Sequence, residues 1–261
     1  MADAMMDNYR RLPPVARTLA TATFLLSVGV YTKLLPGGWF VFHHRFLWKF
    51  PPQIWRFFTA FMITGPELSL LFDTYFFYSY LSQLEVGNPR FSRKEDLAWY
   101  LTFVSGAILI INYLSGIGFV TFLPALYLAM CYTVTQDQRG MKVNYMFINI
   151  PAPLMPYAMI AFNLFFPNGV YSMLRQLEGL IAAHLFDFLS RTWPEYGGGR
   201  NLIPTPAFMT SVLRVADTAR TNAAAVAGIR TADQASGQST GVSGGPLPDS
   251  WRTRGPGRRL G

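Results

Sequence analysis

Charged side chains are scarce in this chain. Only 14% of its 261 residues are Asp, Glu, Lys or Arg, against about a quarter in soluble domains. Apolar residues reach 51% and aromatic residues 16%, more than a water-soluble protein of this size needs for its core. The composition therefore indicates a membrane protein.

Cysteine is almost absent as well. The single cysteine, Cys131, lies in an apolar segment, so no disulfide can form within the chain and its redox compartment cannot be inferred. The first 18 residues lack a short apolar core followed by a small-residue cleavage site. We therefore expect the first membrane-spanning helix to act as the targeting signal.

Nucleic-acid and metal-binding patterns are also missing. The formal charge of +8 and the pI near 9.7 are compatible with nucleic-acid binding, but no RNP, KH or zinc-finger spacing occurs. His43 and His44 are adjacent, so their side chains point apart, and no third ligand is near. We expect no nucleic-acid partner, no metal and no cofactor.

Long apolar segments predict a bundle of membrane-spanning helices. About twenty apolar residues are needed to cross the roughly 30 Å hydrocarbon layer. Two neighbouring segments run together, which leaves a five-span alternative, but Gly116 and Gly118 supply a turn between them. We therefore predict six spans: 15–35, 66–84, 97–114, 118–135, 150–166 and 170–190.

Lys and Arg in short loops predict the orientation of this bundle. With six spans, the N-terminal segment, the second and fourth connections and the tail lie on one side, and all contain basic residues. The opposite connections at 115–118 and 167–169 contain none, whereas the 36–56 loop is an exception. We predict that both termini are cytosolic.

The 36–56 loop is rich in Trp and Phe interspersed with basic residues. Such side chains favour the headgroup level of a bilayer, so we interpret the loop as an interfacial segment. The tail differs, because residues 221–250 contain almost no large apolar side chains. We predict a membrane domain over 1–206 and a flexible cytosolic tail over 207–261.

Ionisable residues occur inside the predicted spans, where they are costly in lipid. Arg175 and Glu178 are three residues apart on one helix and could pair. Either these charges are satisfied within the bundle or they line a hydrated path. The residues concerned are Glu67, Asp73, Arg175, Glu178 and Asp187.

An enzymatic alternative is a rhomboid-type intramembrane serine protease, with Ser115 and His184 as a dyad. In the rhomboid pattern the histidine precedes a Gly-xxx-Gly pair by three residues, a position that Gln176 occupies before Gly179. His184 lies eight residues later, about 80° round the helix and about 12 Å along it. The spacing therefore argues against proteolysis. A small-solute transporter is a further alternative, but no internal repeat supports it.

Four motifs resemble the Derlin family of catalytically inactive rhomboid-like proteins. QLEVGNPRFSRKEDLAWYL resembles the segment between the family's second and third spans, and the likeness extends from residue 1 to about 208. Ala183 replaces the second glycine of the sixth-helix motif. The other matching residues are Trp55 and Arg56 of a Trp-Arg motif, Gly179, Ala183 and His184 of a Gly-xxx-Gly-His motif, and Gly198, Gly199, Asn201, Thr205 and Pro206 of the segment after that helix.

The resemblance implies an all-α, rhomboid-like bundle of six transmembrane helices in the endoplasmic reticulum membrane. It implies a non-enzymatic role in endoplasmic-reticulum-associated degradation, in which misfolded lumenal or membrane proteins return to the cytosol. The implied partners are a membrane ubiquitin ligase complex, the AAA ATPase valosin-containing protein, misfolded clients, membrane lipid and other Derlin copies. Short spans bearing polar residues would act by thinning the bilayer.

The last eleven residues, WRTRGPGRRLG, resemble a short box with which some Derlins bind valosin-containing protein. Gly255, Gly257 and Leu260 match its second half, whereas Thr253 occupies the aromatic position and Trp251 lies two residues early. A flexible tether that ends in an apolar anchor suits peptide docking. A basic tail without this function is the alternative.

Overall fold

The computed structural model describes residues 7, 9, 11–43, 53–91, 93–145, 148–165 and 168–226. This part of the chain is mostly helical, with one β-hairpin. The helices are α1 (Pro14–Tyr31), α2 (Arg56–Thr59), α3 (Ser69–Val86), α4 (Lys94–Ser115), α5 (Leu123–Asp137), α6 (Met155–Asn163), α7 (Gly169–Asp187), α8 (Trp193–Tyr196) and α9 (Ala207–Val226), and the strands are β1 (Lys142–Tyr145) and β2 (Ile148–Pro151).

Helix α1 packs antiparallel to α3. A contact distant in sequence fixes its start, and a local turn follows its end. At its start the Glu85 carboxylate accepts hydrogen bonds from the Val15 and Ala16 N–H groups at 2.9 and 2.7 Å. At its end Lys33 adopts φ 61°, and the chain reverses. The predicted span 15–35 therefore ends early, at Tyr31.

Helix α4 ends at a glycine turn, as the sequence predicts. Gly116 and Gly118 adopt φ values of 67° and 76°, which residues with a Cβ rarely adopt. The Asn112 side chain then fixes the turn, because its Oδ1 accepts from the Phe119 N–H and its Nδ2 donates to the Phe119 carbonyl. Two separate helices, α4 and α5, follow from this turn.

Helix α5 is the centre of the bundle. All residues from Leu123 to Thr135 are buried, and α3, α6 and α7 pack around the helix. Pro124 lies in its first turn, where the missing N–H costs nothing. This buried helix thus provides the surface on which the surrounding helices pack.

The region predicted as the fifth span, 150–166, differs from the prediction. The antiparallel hairpin of β1 and β2 occupies its start, with Val143 opposite Ile150, and α6 contains only nine residues. Prolines 151, 153 and 156 explain the late start, because proline cannot donate to the helix ladder and is tolerated mainly in the first turn.

The region predicted as the sixth span, 170–190, also differs. Helix α7 passes into a π-helical segment, Phe188–Thr192, and then into α8. Pro194 lacks the N–H that would bond to the Ser190 carbonyl, and its ring would collide with that carbonyl. The wider π turn relieves this conflict, so the helical path continues beyond residue 190.

By length and composition, α4 is the one helix in the described part of the chain that could cross a membrane unaided. Helix α5 has 15 residues and α6 has nine, both short of the roughly 20 that a full span needs. The helical character of the bundle agrees with the sequence prediction, while the number of spans stays a prediction.

The chain divides into two compact units, Met1–Met209 and Thr210–Gly261. The segment predicted as a flexible tail, 207–261, begins with helix α9 over residues 207–226, and its flexibility stays a prediction. Residues 207–226 lack proline and glycine and contain a run of alanines, which favours a helix. Residues 227–261 lie outside the described residues.

Candidate functional site

Arg56 is buried at the start of α2 and contacts the carbonyl groups of the first loop. It is only 4% exposed. One guanidinium nitrogen donates to the Gly38 carbonyl at 2.7 Å and to the Val41 carbonyl, and Nε donates to Gln53 Oε1 at 2.5 Å. Burial lowers the pKa of Arg56 from its ordinary value, although the side chain stays charged. Arg56 thus joins both ends of the loop.

Phe42 attaches the same loop to the turn between α4 and α5. Its N–H donates to the Val120 carbonyl at 2.9 Å, and its ring contacts Phe57 and Phe122 with centroids 5.9 and 5.7 Å apart. The Phe122 N–H in turn donates to the Ala60 carbonyl. The loop, α2 and the α4–α5 turn therefore form one packed end of the bundle, which we call the loop end.

Trp55, the other member of the Trp-Arg motif, has a different environment. It is 47% exposed and precedes the buried Arg56. The pair therefore divides into an outward ring and an inward cation, which agrees with an interfacial position for the tryptophan. Three of the seven aromatic residues predicted to lie at the interface, Phe46, Trp48 and Phe50, fall together with His44 within 44–52 and outside the described residues.

Gly179 allows a close approach between α7 and α5. A Cβ at this position would lie 2.0 Å from the Ala125 carbonyl oxygen, a distance that no side chain tolerates. Ala183, one turn further on, is fully buried. The small-residue pair therefore lies at the α5–α7 interface, as the sequence motif predicts.

Ser115 and His184, the residues of the protease alternative, do not meet. Ser115 ends α4 and its hydroxyl donates to Glu178 Oε1 at 3.1 Å. His184 Nδ1 lies 2.5 Å from the Tyr132 hydroxyl, about 9 Å further along α7. Gln176, at the position of the rhomboid base, donates to the Tyr127 hydroxyl and accepts from Asn163, and its amide has no basic nitrogen.

A polar cavity of about 390 Å³ opens among α1, α3, α5, α6 and α7 at the loop end. Thr64 Oγ1 and Arg175 Nε are buried there without a hydrogen-bond partner among the described residues. Buried polar atoms are costly unless they are hydrated or bound, so the cavity suits water or a polar chain. Its polar lining includes Tyr31, Thr64, Asp73, Tyr127, Asn163, Arg175 and Gln176.

The charged residues of the cavity are arranged differently from the suggested Arg175–Glu178 pair. Arg175 donates to Thr121 Oγ1 at 3.3 Å, and no ion pair joins it to Glu178 in the described chain. Asp73 instead accepts from the Gly65 N–H at 2.8 Å. Arg175 and Asp73 therefore each have a polar partner of their own, in place of the suggested Arg175–Glu178 pair.

Glu67 and Asp187, the other charged residues predicted to lie inside the membrane, have different environments. Glu67 is exposed before α3. Asp187 is buried at the opposite end of the bundle and pairs with Arg90 at 3.1 Å, and Arg90 and Arg191 both lie 3.4 Å from Asp137. This ionic cluster joins the α3–α4 connection to the ends of α5 and α7. The sequence did not predict it, because its members lie about 50 and 100 residues apart.

The motif after the sixth predicted span packs on the first turns of α4. Thr205 donates to Asp96 at 2.7 Å, and Trp99 donates to the Ile203 carbonyl at 3.3 Å. Asn201 Oδ1 accepts from the Ile203 N–H and so shapes the turn. The motif's other members, Gly198, Gly199 and Pro206, lie in the same segment, and Gly198 adopts φ 66°.

The predicted ATPase-binding box lies outside the described residues. Its residues are Trp251, Gly255, Gly257 and Leu260, so its role stays a prediction.

Comparison with known proteins places this architecture in a family. The sequence model of the Der1-like family matches residues 12–207. Derlin-1 of Homo sapiens is 30% identical over 209 residues, which cover 78% of this chain and 80% of the relative. Derlin-1 of Drosophila melanogaster is 26% identical over 77% of this chain and 81% of the relative, and Derlin-2 of Oryza sativa subsp. japonica is 25% identical over 81% and 87%.

The matched range contains the Arg56 contacts, the Gly179 contact, the polar cavity and the segment that packs on α4. The resemblance found in the four motifs is therefore confirmed across three quarters of the sequence, and the chain belongs to the Der1-like family.

Proposed function

We propose that this Der1-like membrane protein of endoplasmic-reticulum-associated degradation helps misfolded lumenal or membrane proteins return to the cytosol, without making or breaking a bond. The observation that carries the proposal is the polar cavity at the loop end of an otherwise apolar bundle. An unfolded segment that crosses a membrane needs partners for its backbone polar groups. The hydroxyl, amide and charged side chains of the cavity can provide them.

A membrane position with six spans supports the return of misfolded proteins to the cytosol through the polar cavity. Under the six-span interpretation the loop end faces the lumen and both termini face the cytosol. Helix α6, with nine residues, is about 14 Å long, less than half the roughly 30 Å hydrocarbon thickness. A bilayer that adjusts to so short a helix becomes thinner beside it, and a thinner bilayer lowers the barrier to a polar segment.

The path would be completed by partners. We propose a membrane ubiquitin ligase complex beside the bundle, with other Derlin copies as further neighbours. Valosin-containing protein would be recruited by the tail, through residues 251–261. The ATPase would then supply the pulling force that a passive cavity lacks.

Photo-crosslinking in cells tests the client path. Ser172 lines the polar cavity, whereas Val170, two residues earlier on α7, is 61% exposed and lies outside its lining. With p-benzoylphenylalanine at either position, a misfolded client stalled by inhibition of the ATPase should crosslink from position 172 and much less from 170. Equal crosslinking from both, or none from 172 in folded protein, would overturn the proposal.

A further inference from the structure

A second, apolar cavity separates the first loop from α4. It has a volume of about 340 Å³ and lies between α1, α2 and α4. Phe57, Phe58 and Phe61 form the wall on the loop side, and Leu101 and Leu109 mark its extent along α4. The eight helical steps from residue 101 to residue 109 correspond to about 12 Å along the helix axis, so the cavity is elongated in the direction of the helices.

Gly106 leaves space at the centre of this cavity. A Cβ at this position would meet nothing within 4 Å, in contrast to Gly179 on α7. Of the hydroxyl groups in the lining, that of Thr102 donates to the Ala98 carbonyl at 2.8 Å, whereas Thr23 Oγ1 is buried without a partner among the described residues. The other lining side chains are almost all apolar, so the walls offer contact surface mainly to an apolar occupant.

The cavity opens on a face of α4 that lipid would cover. Thr102, Gly106 and Ile110 lie four residues apart and so share one face of the helix. Thr102 is exposed, and Ile110 is 61% exposed. Phe58, on the other side of the opening, is 67% exposed. In a bilayer, the molecules in contact with this opening are lipid hydrocarbon chains.

We propose that this cavity binds one acyl chain of a phospholipid, which packs between Gly106 and the phenylalanines in and directly after α2. An extended hydrocarbon chain is about 4–5 Å wide by carbon contact distances, and its length can follow the 12 Å of the cavity. Because the chain comes from lipid and not from water, the gain comes from filling a void that would leave the cavity walls without contacts. The bound chain becomes part of the packing that holds the loop.

This inference rests on the proposed membrane position of the bundle but not on client transport. Phe57 and Phe58 directly follow Arg56, so a chain in the cavity supports the same loop that Arg56 holds through its carbonyl groups. The lipid and the arginine would act on opposite sides of α2. Loss of either should loosen the loop without removing the polar cavity.

The test uses purified full-length protein in nanodiscs that contain phosphatidylcholine with a mid-chain diazirine. Phe61 lines the cavity and is only 5% exposed, so lipid surrounding the bundle has little access to it. We expect photolysis to label Phe61, with mass spectrometry locating the adduct. Gly106→Leu should reduce this labelling severalfold, and Gly106→Ala should reduce it less.

Ile110→Phe is the matched control, because it adds volume one turn away on the same face but outside the cavity. It should leave the labelling of Phe61 unchanged. Absence of label at Phe61 in the wild type, or equal labelling in folded Gly106→Leu, would overturn the inference. Labelling of Phe61 by a diazirine sterol in preference to the phospholipid would also overturn it. Size-exclusion profiles verify folding, and client turnover in cells remains a separate measurement.

Discussion

At the scale of single residues, the structure gives a physical reason for the small residue at position 179, which the sequence pattern alone supports only weakly. Two small residues four apart occur by chance in many helices. Here the glycine is required because the Ala125 carbonyl oxygen occupies the space of a side chain. Ala183 fits the same interface with a methyl group, which explains why the departure from a second glycine is tolerated.

Gly179→Ala should therefore destabilise the bundle although it is the smallest substitution available. Overpacking of a tight interface costs about 1–3 kcal/mol, and here a backbone oxygen, which moves less readily than a side chain, must shift. We expect a clear fall of the apparent melting temperature in detergent, measured by thermal shift. Gly106→Ala is the control, since its methyl group meets open space. Equal melting temperatures for the two variants would contradict this account.

The contacts of Arg56 clarify its structural role. Its hydrogen bonds to the carbonyls of Gly38 and Val41 brace the first loop. Its importance in degradation stays a prediction. Trp55, largely outside the packed loop end, should contribute in another way.

Arg56→Ala should release the first loop while the helices remain folded. Hydrogen bonds to charged groups contribute roughly 1.5–3 kcal/mol each, and the variant loses several. We expect faster hydrogen exchange over residues 36–43 and slower client degradation. Trp55→Ala should slow degradation with little effect on exchange over these residues. Unchanged exchange in Arg56→Ala would show that the loop is held by Phe42 and its neighbours alone.

At the scale of helices, the termini depend on partners that the sequence does not reveal. The sequence places the long apolar segments and the glycine turn after α4 correctly. It does not predict that Glu85 caps α1, because that contact joins residues about 70 positions apart. The short α6 and the π segment were missed for another reason, since apolar composition was given more weight than the prolines at 151, 153, 156 and 194.

Glu85→Ala should weaken the α1–α3 pair. The carboxylate satisfies two N–H groups at a helix N-terminus, and loss of such a cap costs about 0.5–2 kcal/mol. We expect a lower apparent melting temperature and faster exchange at the start of α1. Glu195→Ala provides the comparison, since Glu195 is exposed and makes no side-chain hydrogen bond within the described chain. Similar melting temperatures for both variants would argue against the cap.

At the scale of the whole molecule, the sequence predicted the family and the membrane character, and the comparisons confirm the family. The polar cavity could be anticipated only in part. Asp73 and Arg175 were recognised as interior charges, but the lining also includes Tyr127 and Gln176. These two residues lie on different helices, and the sequence does not show how those helices are positioned along one another. The tail was predicted from its composition, which did not indicate the helix over residues 207–226, although alanine favours helices.

Removal of residues 251–261 tests the recruitment of the ATPase separately from the bundle. If the degenerate box binds valosin-containing protein, the truncated protein should co-purify with much less of it. Replacement of Arg258 and Arg259 by alanine, with Gly255, Gly257 and Leu260 kept, controls for simple loss of basic charge. Undiminished co-purification after truncation would show that the box does not serve this partner.

The central claim is that this protein promotes the degradation of misfolded membrane or lumenal proteins through its polar cavity. The most direct measurement is the half-life of such a client in a cycloheximide chase, in cells that lack the protein and are complemented with variants expressed at equal levels. We predict that wild type and Val170→Phe restore rapid turnover, whereas Ser172→Phe, which fills the cavity, does not. An unchanged client half-life in cells confirmed to lack the protein, or full rescue by Ser172→Phe, would contradict the account.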